Sequence, residues 1–243
     1  MLTCGHLHPR VNPGEPLTSV FVSDSVVQPA DLQRVRASYD RVADNYVAMG
    51  VGDLAPAPWL RATLAAFAED VRALGPVLDV GCGPGTVTAH LAGLGVDVSG
   101  VDLSPRMIAH ARRLHPALRF AVASATEIDL AEASLGGVLG WWSLFNLPRN
   151  VLPDVLMSFA RALVPGGQLL LGTHVGDGDI ERTEVYGMPV TWTTHLWQPQ
   201  QLAALLSQAG LQPIAELRLP QTPASPSAPA LPAQVVLAAR RPS

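Results

Sequence analysis

Three glycines at alternate positions, Gly81, Gly83 and Gly85, follow the apolar run Val77-Leu78-Asp79-Val80, which the breaker pair Gly75-Pro76 introduces. This pattern predicts a buried strand that ends in a tight turn, with Thr86 to Leu94 as the following helix. Glycines there remove Cβ atoms where the chain must bend and let a ligand lie against the main chain. The helix then points free N–H groups at the turn, which makes the stretch a cradle for a nucleotide or nucleoside. The spacing is GxGxG with Thr86 next, so the six-residue dinucleotide fingerprint is not completed, and no Gly-Lys-Ser/Thr closes a P-loop. A pyrophosphate ligand is correspondingly disfavoured. Val96 to Asp102 reads as a second strand ending in an acid, placed where ribose-binding carboxylates occur, and Asp102 can accept hydrogen bonds from both ribose hydroxyls.

Taken together, Asp79-Val80-Gly81-Cys82-Gly83-Pro84-Gly85 and Val101-Asp102-Leu103-Ser104 resemble the class I S-adenosylmethionine-dependent methyltransferases. The resemblance implies that the turn residues Asp79, Gly81, Cys82, Gly83 and Gly85 line the methionine part of S-adenosyl-L-methionine. It also implies that Asp102, with Leu103 beside it, binds the ribose. Tyr39-Asp40-Arg41-Val42-Ala43-Asp44-Asn45-Tyr46 is similar to the Y-D-x-x-A-x-x-Y segment that precedes the core in small-molecule members, which makes Tyr39 and Tyr46 expected cofactor or lid contacts. On the residues alone, both rings also fit as core aromatics with a wet hydroxyl.

Ser124-Ala125-Thr126 stands where that family shows Gly-Asp-Ala, so Ser124 replaces the acid that accepts from the adenine amino group. A hydroxyl accepts that bond more weakly, and the Ala125 N–H is free to serve the neighbouring ring nitrogen. Leu135-Gly136 replaces a common Phe-Asp. Val164-Pro165-Gly166-Gly167 resembles the turn before the fifth strand. The resemblance covers roughly residues 35 to 240.

The acceptor side is less patterned. Gly137 to Trp141 reads as the fourth strand, and ligands of open parallel sheets bind outside the carboxyl ends of strands. Trp141 is therefore expected at the cofactor, and Trp142 and Asn146 at the acceptor, although both tryptophans could simply fill space. His174, Asp177, Asp179 and Glu181 are read as a glycine-bearing loop, and Tyr186 to Trp197 as an insertion holding Tyr186 and His195 as pocket candidates. His174 is the candidate general base because its ordinary pKa is near neutrality, with a plain hydrogen-bonded role as the alternative. The set His174, Asp177 and Asp179 matches no firm metal-ligand spacing, and Cys4, His6 and His8 lack a fourth ligand, so no metal is expected.

The elements that must position these groups alternate strand and helix. Helical spacing runs from Leu32 to Val47 behind Asp31 as N-cap, and from Pro58 along Leu60, Leu64, Phe67, Val71 and Leu74 to Gly75. Ser104-Pro105 starts a further helix, Arg119 to Ala123 a third strand, Val151 to Leu163 a helix and Gln168 to Leu171 a fifth strand. Pro199 to Gly210, Ile214 to Leu219 and a final strand Gln234 to Ala239 follow. The resulting fold class is α/β: a doubly wound, mostly parallel seven-stranded sheet of the Rossmann-like methyltransferase type with an antiparallel terminal strand. Residues 1–30 are expected to be a flexible segment. Residues 31–243 are expected to form the domain, with a helical lid over 31–75 and a substrate-side insertion over 173–197.

With 48% apolar residues but no run of bilayer length, a net charge of −4 and only Cys4 and Cys82, the composition favours a cytoplasmic protein. It also disfavours nucleic acid and membrane partners. The function expected is in-line transfer of a methyl group to an O, N or C atom of a small metabolite. A non-catalytic nucleoside-binding protein and, less favoured, an NAD-dependent oxidoreductase are the alternatives.

Overall fold

A computed structural model describes residues 30–222 and 232–243. The expected flexible segment, the Cys4/His6/His8 group and most of the Pro/Ala/Ser-rich stretch before the last strand lie outside the described residues. Seven strands form one sheet in the order β3-β2-β1-β4-β5-β9-β8. They are β1 (Val77–Val80), β2 (Val98–Asp102), β3 (Arg119–Val122), β4 (Leu135–Trp141), β5 (Leu163–His174), β8 (Gln212–Leu219) and β9 (Gln234–Arg240). β9 alone runs antiparallel to its neighbours, between β5 and β8. The doubly wound sheet with one antiparallel strand near its edge is thus as expected.

Strand alternation divides the core. Leu78 and Val80 of β1, Val138 of β4, Leu169 and Leu171 of β5, and Val235 and Leu237 of β9 face α5 (Leu152–Ala162) and α6 (Pro199–Gln208), where Leu156, Phe159 and Leu202 meet them. Val77, Leu139, Leu170 and Val236 face the other way, onto α2 (Pro58–Val71) and α3 (Thr86–Gly93) through Leu64, Phe67, Val71 and Leu91. A two-residue period along each strand and a 3.6-residue stripe along each helix are what make two such layers possible. Asp79 shares the face of Val77 and therefore sits under α3, where Thr88 Oγ1 donates to its carboxylate at 2.6 Å.

Several boundaries differ from expectation. Asp31 lies inside α1 (Ala30–Ala48) rather than capping it, and bonds Arg34 on the same exposed turn. α2 ends at Val71, leaving Leu74 outside the helix and 38% exposed. β5 begins at Leu163, before the Pro-Gly-Gly turn, because Leu163 pairs with Leu135 and the register then shifts to Gly137↔Gln168. The largest change is at residues 179–195, expected as loop and insertion. They form a two-stranded hairpin, β6 (Asp179–Val185) and β7 (Met188–His195), separate from the main sheet. Its two-residue turn, Tyr186-Gly187, has φ of 53° and 71°, the left-handed pair that matches strand twist in a type I′ turn. The alternation Val190, Trp192, Thr194 was the available signal: all three are buried.

Phe159 is fully buried between α5 and the sheet, so Phe159→Ala should cost about 3–5 kcal/mol by cavity formation. Denaturant unfolding measures it. A loss below about 1 kcal/mol would mean that this face repacks around the gap.

Candidate functional site

The floor of the site is where two strand-to-helix turns meet. After β1, Gly81 takes φ 74°, and a Cβ on it would stand 2.2 Å from Cβ of Ser143 in the turn after β4. Gly81 is therefore required by the closeness of its neighbour. Gly83 takes φ 54°, and no atom lies within 4 Å of where its Cβ would be, so this position leaves open space against the main chain. Its N–H donates to Asp102 Oδ2 at 2.9 Å, and the N–H of Ser104 donates to Asp102 Oδ1 at 2.8 Å. A carboxylate offers about four lone-pair directions. Two are used here, which leaves acceptor capacity for a pair of vicinal hydroxyls.

Above these turns lies a cavity of about 800 Å³ at the carboxyl ends of β1, β2 and β4. That is the upper part of the roughly 300–1,000 Å³ range of small-ligand sites. Tyr39, Tyr46, Asp79, Gly81, Cys82, Gly83, Asp102, Leu103, Ser124, Ala125, Trp141, Trp142, Asn146, His174 and Tyr186 all line it. The open cradle at Gly83 and the spare acceptor capacity of Asp102 fit the adenosyl cofactor that the sequence motifs imply.

Three expected residues do not reach the cavity. Gly85 packs instead: a Cβ there would meet Phe120 Cζ at 2.7 Å. Thr126 turns its hydroxyl to Ser124 Oγ at 2.8 Å. His195 follows Thr194, so strand alternation sends it to the opposite face of the hairpin, where Nδ1 meets Asp179 at 2.8 Å. Asp179 also receives Arg149, and Glu181 accepts from Thr193 Oγ1, so neither carboxylate serves the cavity.

The roof is α1 laid across β7 and α4 (Pro105–Leu114). Tyr39 stacks on Trp192, with ring centroids 4.7 Å apart, and its hydroxyl donates to Asn146 Oδ1 at 3.1 Å. Asn146 Nδ2 donates to Thr193 O at 2.9 Å. Tyr46 meets Tyr186 edge to face. Asp40 accepts from Ser104 Oγ at 2.6 Å and from the Arg106 N–H at 3.1 Å, which adds a carboxylate to the N-terminus of α4. The roles of Asp40 and Asn146 as latches were missed from sequence, because their partners are distant along the chain. Trp142, at φ 48°, lays its ring on Gly172, where a Cβ would come within 2.8 Å of it, and both tryptophans line the cavity.

Burial dominates the electrostatics. It raises Asp79 to about 7 against the Thr88 hydrogen bond, with the nearby Asp102 charge adding to the rise. It raises Asp102 to about 6 against its two backbone donors. Burial, with Arg182 nearby, lowers His174 to about 4, so its imidazole is neutral at pH 7. Above about pH 4 the unfolded chain has released aspartate protons that folded Asp79 still holds. Asp79 therefore lowers stability progressively as pH rises from there through about 7. Asp79→Asn keeps an acceptor for Thr88 and removes the charge. Its melting temperature should exceed that of the parent by clearly more at pH 8 than at pH 5, with the gap closing towards pH 4; a difference constant with pH would mean Asp79 stays ionised throughout.

The comparisons with known proteins agree with this geometry. Residues 77–167 match the family model described as a methyltransferase domain. Malonyl-[acyl-carrier protein] O-methyltransferase of Enterobacter lignolyticus is 34% identical over 149 residues, which are 61% of this chain and 57% of that protein. Demethylmenaquinone methyltransferase of Beutenbergia cavernae is 36% identical over 149 residues, 58% of each chain. The chain thus matches less than two thirds of the length of either relative. The crystal structure of Burkholderia thailandensis 1,6-didemethyltoxoflavin-N1-methyltransferase, with bound 1,6-didemethyltoxoflavin and S-adenosylhomocysteine, superposes with a TM-score of 0.60 at 22% identity. It covers 92% of this chain and 98% of its own, and at that identity it shows the shared fold. In its paired turn motifs, its sheet order and these matches, the chain is similar to methyltransferases, with the family-model match confined to residues 77–167.

Proposed function

We propose that this protein transfers a methyl group from S-adenosyl-L-methionine to a heteroatom or carbon of a small-molecule acceptor held under the α1 and hairpin roof. The observation that carries the reading is the convergence of Gly83, Asp102, Ser124 and Ala125 with an aromatic enclosure around one cavity of about 800 Å³. When bound, the cofactor supplies a methyl group activated by a positively charged sulfur. The chain supplies binding, orientation and exclusion of water. Asp102 offers its remaining acceptor sites to hydroxyls, and the Ala125 N–H serves a ring nitrogen. Ser124 accepts less strongly than the acid it replaces, because its Oγ is already shared with Thr126.

On this reading, residues 31–75 and 173–197 act as the lid and the acceptor-selecting part of one domain. The two cysteines of the whole chain agree with a cytoplasmic setting. Among the described residues, no helix is long and apolar enough to cross a membrane. His174 borders the cavity against Phe145, with ring centroids 5.2 Å apart, and in its neutral form can take a proton from an acceptor. With a pKa near 4 it holds that proton only briefly at pH 7 and so suits acceptors that ionise readily.

Calorimetric titration with S-adenosylmethionine, S-adenosylhomocysteine and NAD tests the proposal. Both adenosyl ligands should bind and NAD should not; failure of both adenosyl ligands sinks the reading. Binding without transfer to any acceptor would indicate a nucleoside-binding protein. Asp102→Ala should weaken adenosyl binding by about tenfold or more through loss of charge-assisted hydrogen bonds. Affinity for the cationic cofactor should also fall below about pH 7, as Asp79 and then Asp102 take up protons. His174→Ala should lower kcat and leave adenosyl affinity unchanged, and full activity would remove it as a base.

A further inference from the structure

The hairpin carries a cation that the cofactor does not need. Arg182 pairs across the hairpin with Trp192, so both side chains project to one face, and Trp192 is buried there against Tyr39. The chain contains no lysine, so all 16 of its Lys-or-Arg residues are arginines. Among the described residues, Arg182 is the one arginine that lines the cavity. Several others are engaged: Arg149 with Asp179, Arg106 with Asp44 and Arg119 with Asp97. The Arg182 side chain makes no ion pair or hydrogen bond among the described residues. Glu184 also lines the cavity, but it is exposed and stands beyond a shift in strand register that separates it from Arg182. A half-buried guanidinium without a counter-ion loses hydration and gains nothing in return.

The mostly apolar cavity carries acidic groups and a basic group at different places. Asp79 and Asp102 mark the end beneath the glycine turn, where a cation is favoured. Arg182 stands at the other end, near enough to bear on both His174 and Tyr186. His174 ends β5, two strands from β1, or roughly 10 Å across the sheet at about 4.8 Å per strand. We infer that the acceptor is a carboxylate-bearing molecule with an apolar or aromatic body, and that Arg182 selects it by receiving the carboxylate. The inference rests on the methyl-transfer reading and names its substrate class. A lone planar guanidinium matches one carboxylate in bidentate fashion, whereas it would leave a phosphate dianion half-neutralised. Trp192, Trp142 and Tyr186 supply the wall against which a flat body packs.

The test uses the full chain saturated with S-adenosylhomocysteine, whose own binding is measured first. If that ligand does not bind the parent protein, the methyltransferase reading has failed and the inference falls with it. With it bound, calorimetry compares benzoate, 2-naphthoate and indole-3-acetate with their primary amides in the parent, Arg182→Gln and Arg182→Lys proteins. At least one carboxylate should bind the parent about tenfold more tightly than its amide, Arg182→Gln should abolish that preference, and Arg182→Lys should retain part of it. Unchanged S-adenosylhomocysteine affinity and melting temperature in Arg182→Gln show that the fold is intact. If Arg182→Gln is unstable, the decision falls to Arg182→Lys, which should bind the carboxylate more weakly than the parent. Equal binding of acids and amides, no binding of any acid at millimolar concentration, or carboxylate affinity unchanged in the variants overturns the inference.

Discussion

The two main-chain N–H groups that converge on Asp102 hold the site together. One comes from Gly83 in the turn after β1 and the other from Ser104 in the turn after β2. The strands are parallel neighbours, so their turns emerge on the same edge of the sheet, and a single carboxylate can tie them. Ser104 carries the tie further: its backbone is held by Asp102, while its hydroxyl caps α4 and donates to Asp40 of α1. The cavity floor and its roof are thereby referenced to the same few atoms, and loss of Asp102 would loosen both.

The roof depends on a different kind of interaction. α1 buries an apolar stripe, with Leu32, Val35, Val42 and Ala43 in the core, and is held further by polar ties outside it. Arg41 and Asn45 donate to hairpin carbonyls of Pro189 and Tyr186, and Ser38 Oγ accepts the Thr191 N–H. These bonds satisfy hairpin backbone groups that lie beyond the main sheet. A small hairpin is marginal alone. Here it becomes a wall because a helix is laid against it.

Burial sets the chemistry of the floor. Asp79 and Asp102 share a low-dielectric region, and each is pushed towards neutrality until a cation arrives. His174 is pushed the other way by the same desolvation. Near pH 7 Asp102 is mostly charged and Asp79 about half so, and a positively charged ligand at the acidic end would favour the charged form of both.

What the sequence by itself determined is the local part. The strand, turn and helix from Val77 to Leu94, the Ser104-Pro105 helix start and the acid ending β2 are written in neighbouring residues, and all appear as expected. The same holds for the mostly parallel sheet, because alternating short strands and helices admit few arrangements. The tertiary structure decided which side chains meet. Gly83 opens onto the cavity while Gly85 closes on Phe120, although both sit in one motif. His195 and Thr194 are neighbours, yet one faces Asp179 and the other the cavity. Arg182 acquires its place only through pairing with Trp192. Such outcomes depend on strand register, and a slip of one residue would reverse every one of them along the hairpin. Register in turn is set by contacts between segments far apart in the chain, which no local reading of residue types contains.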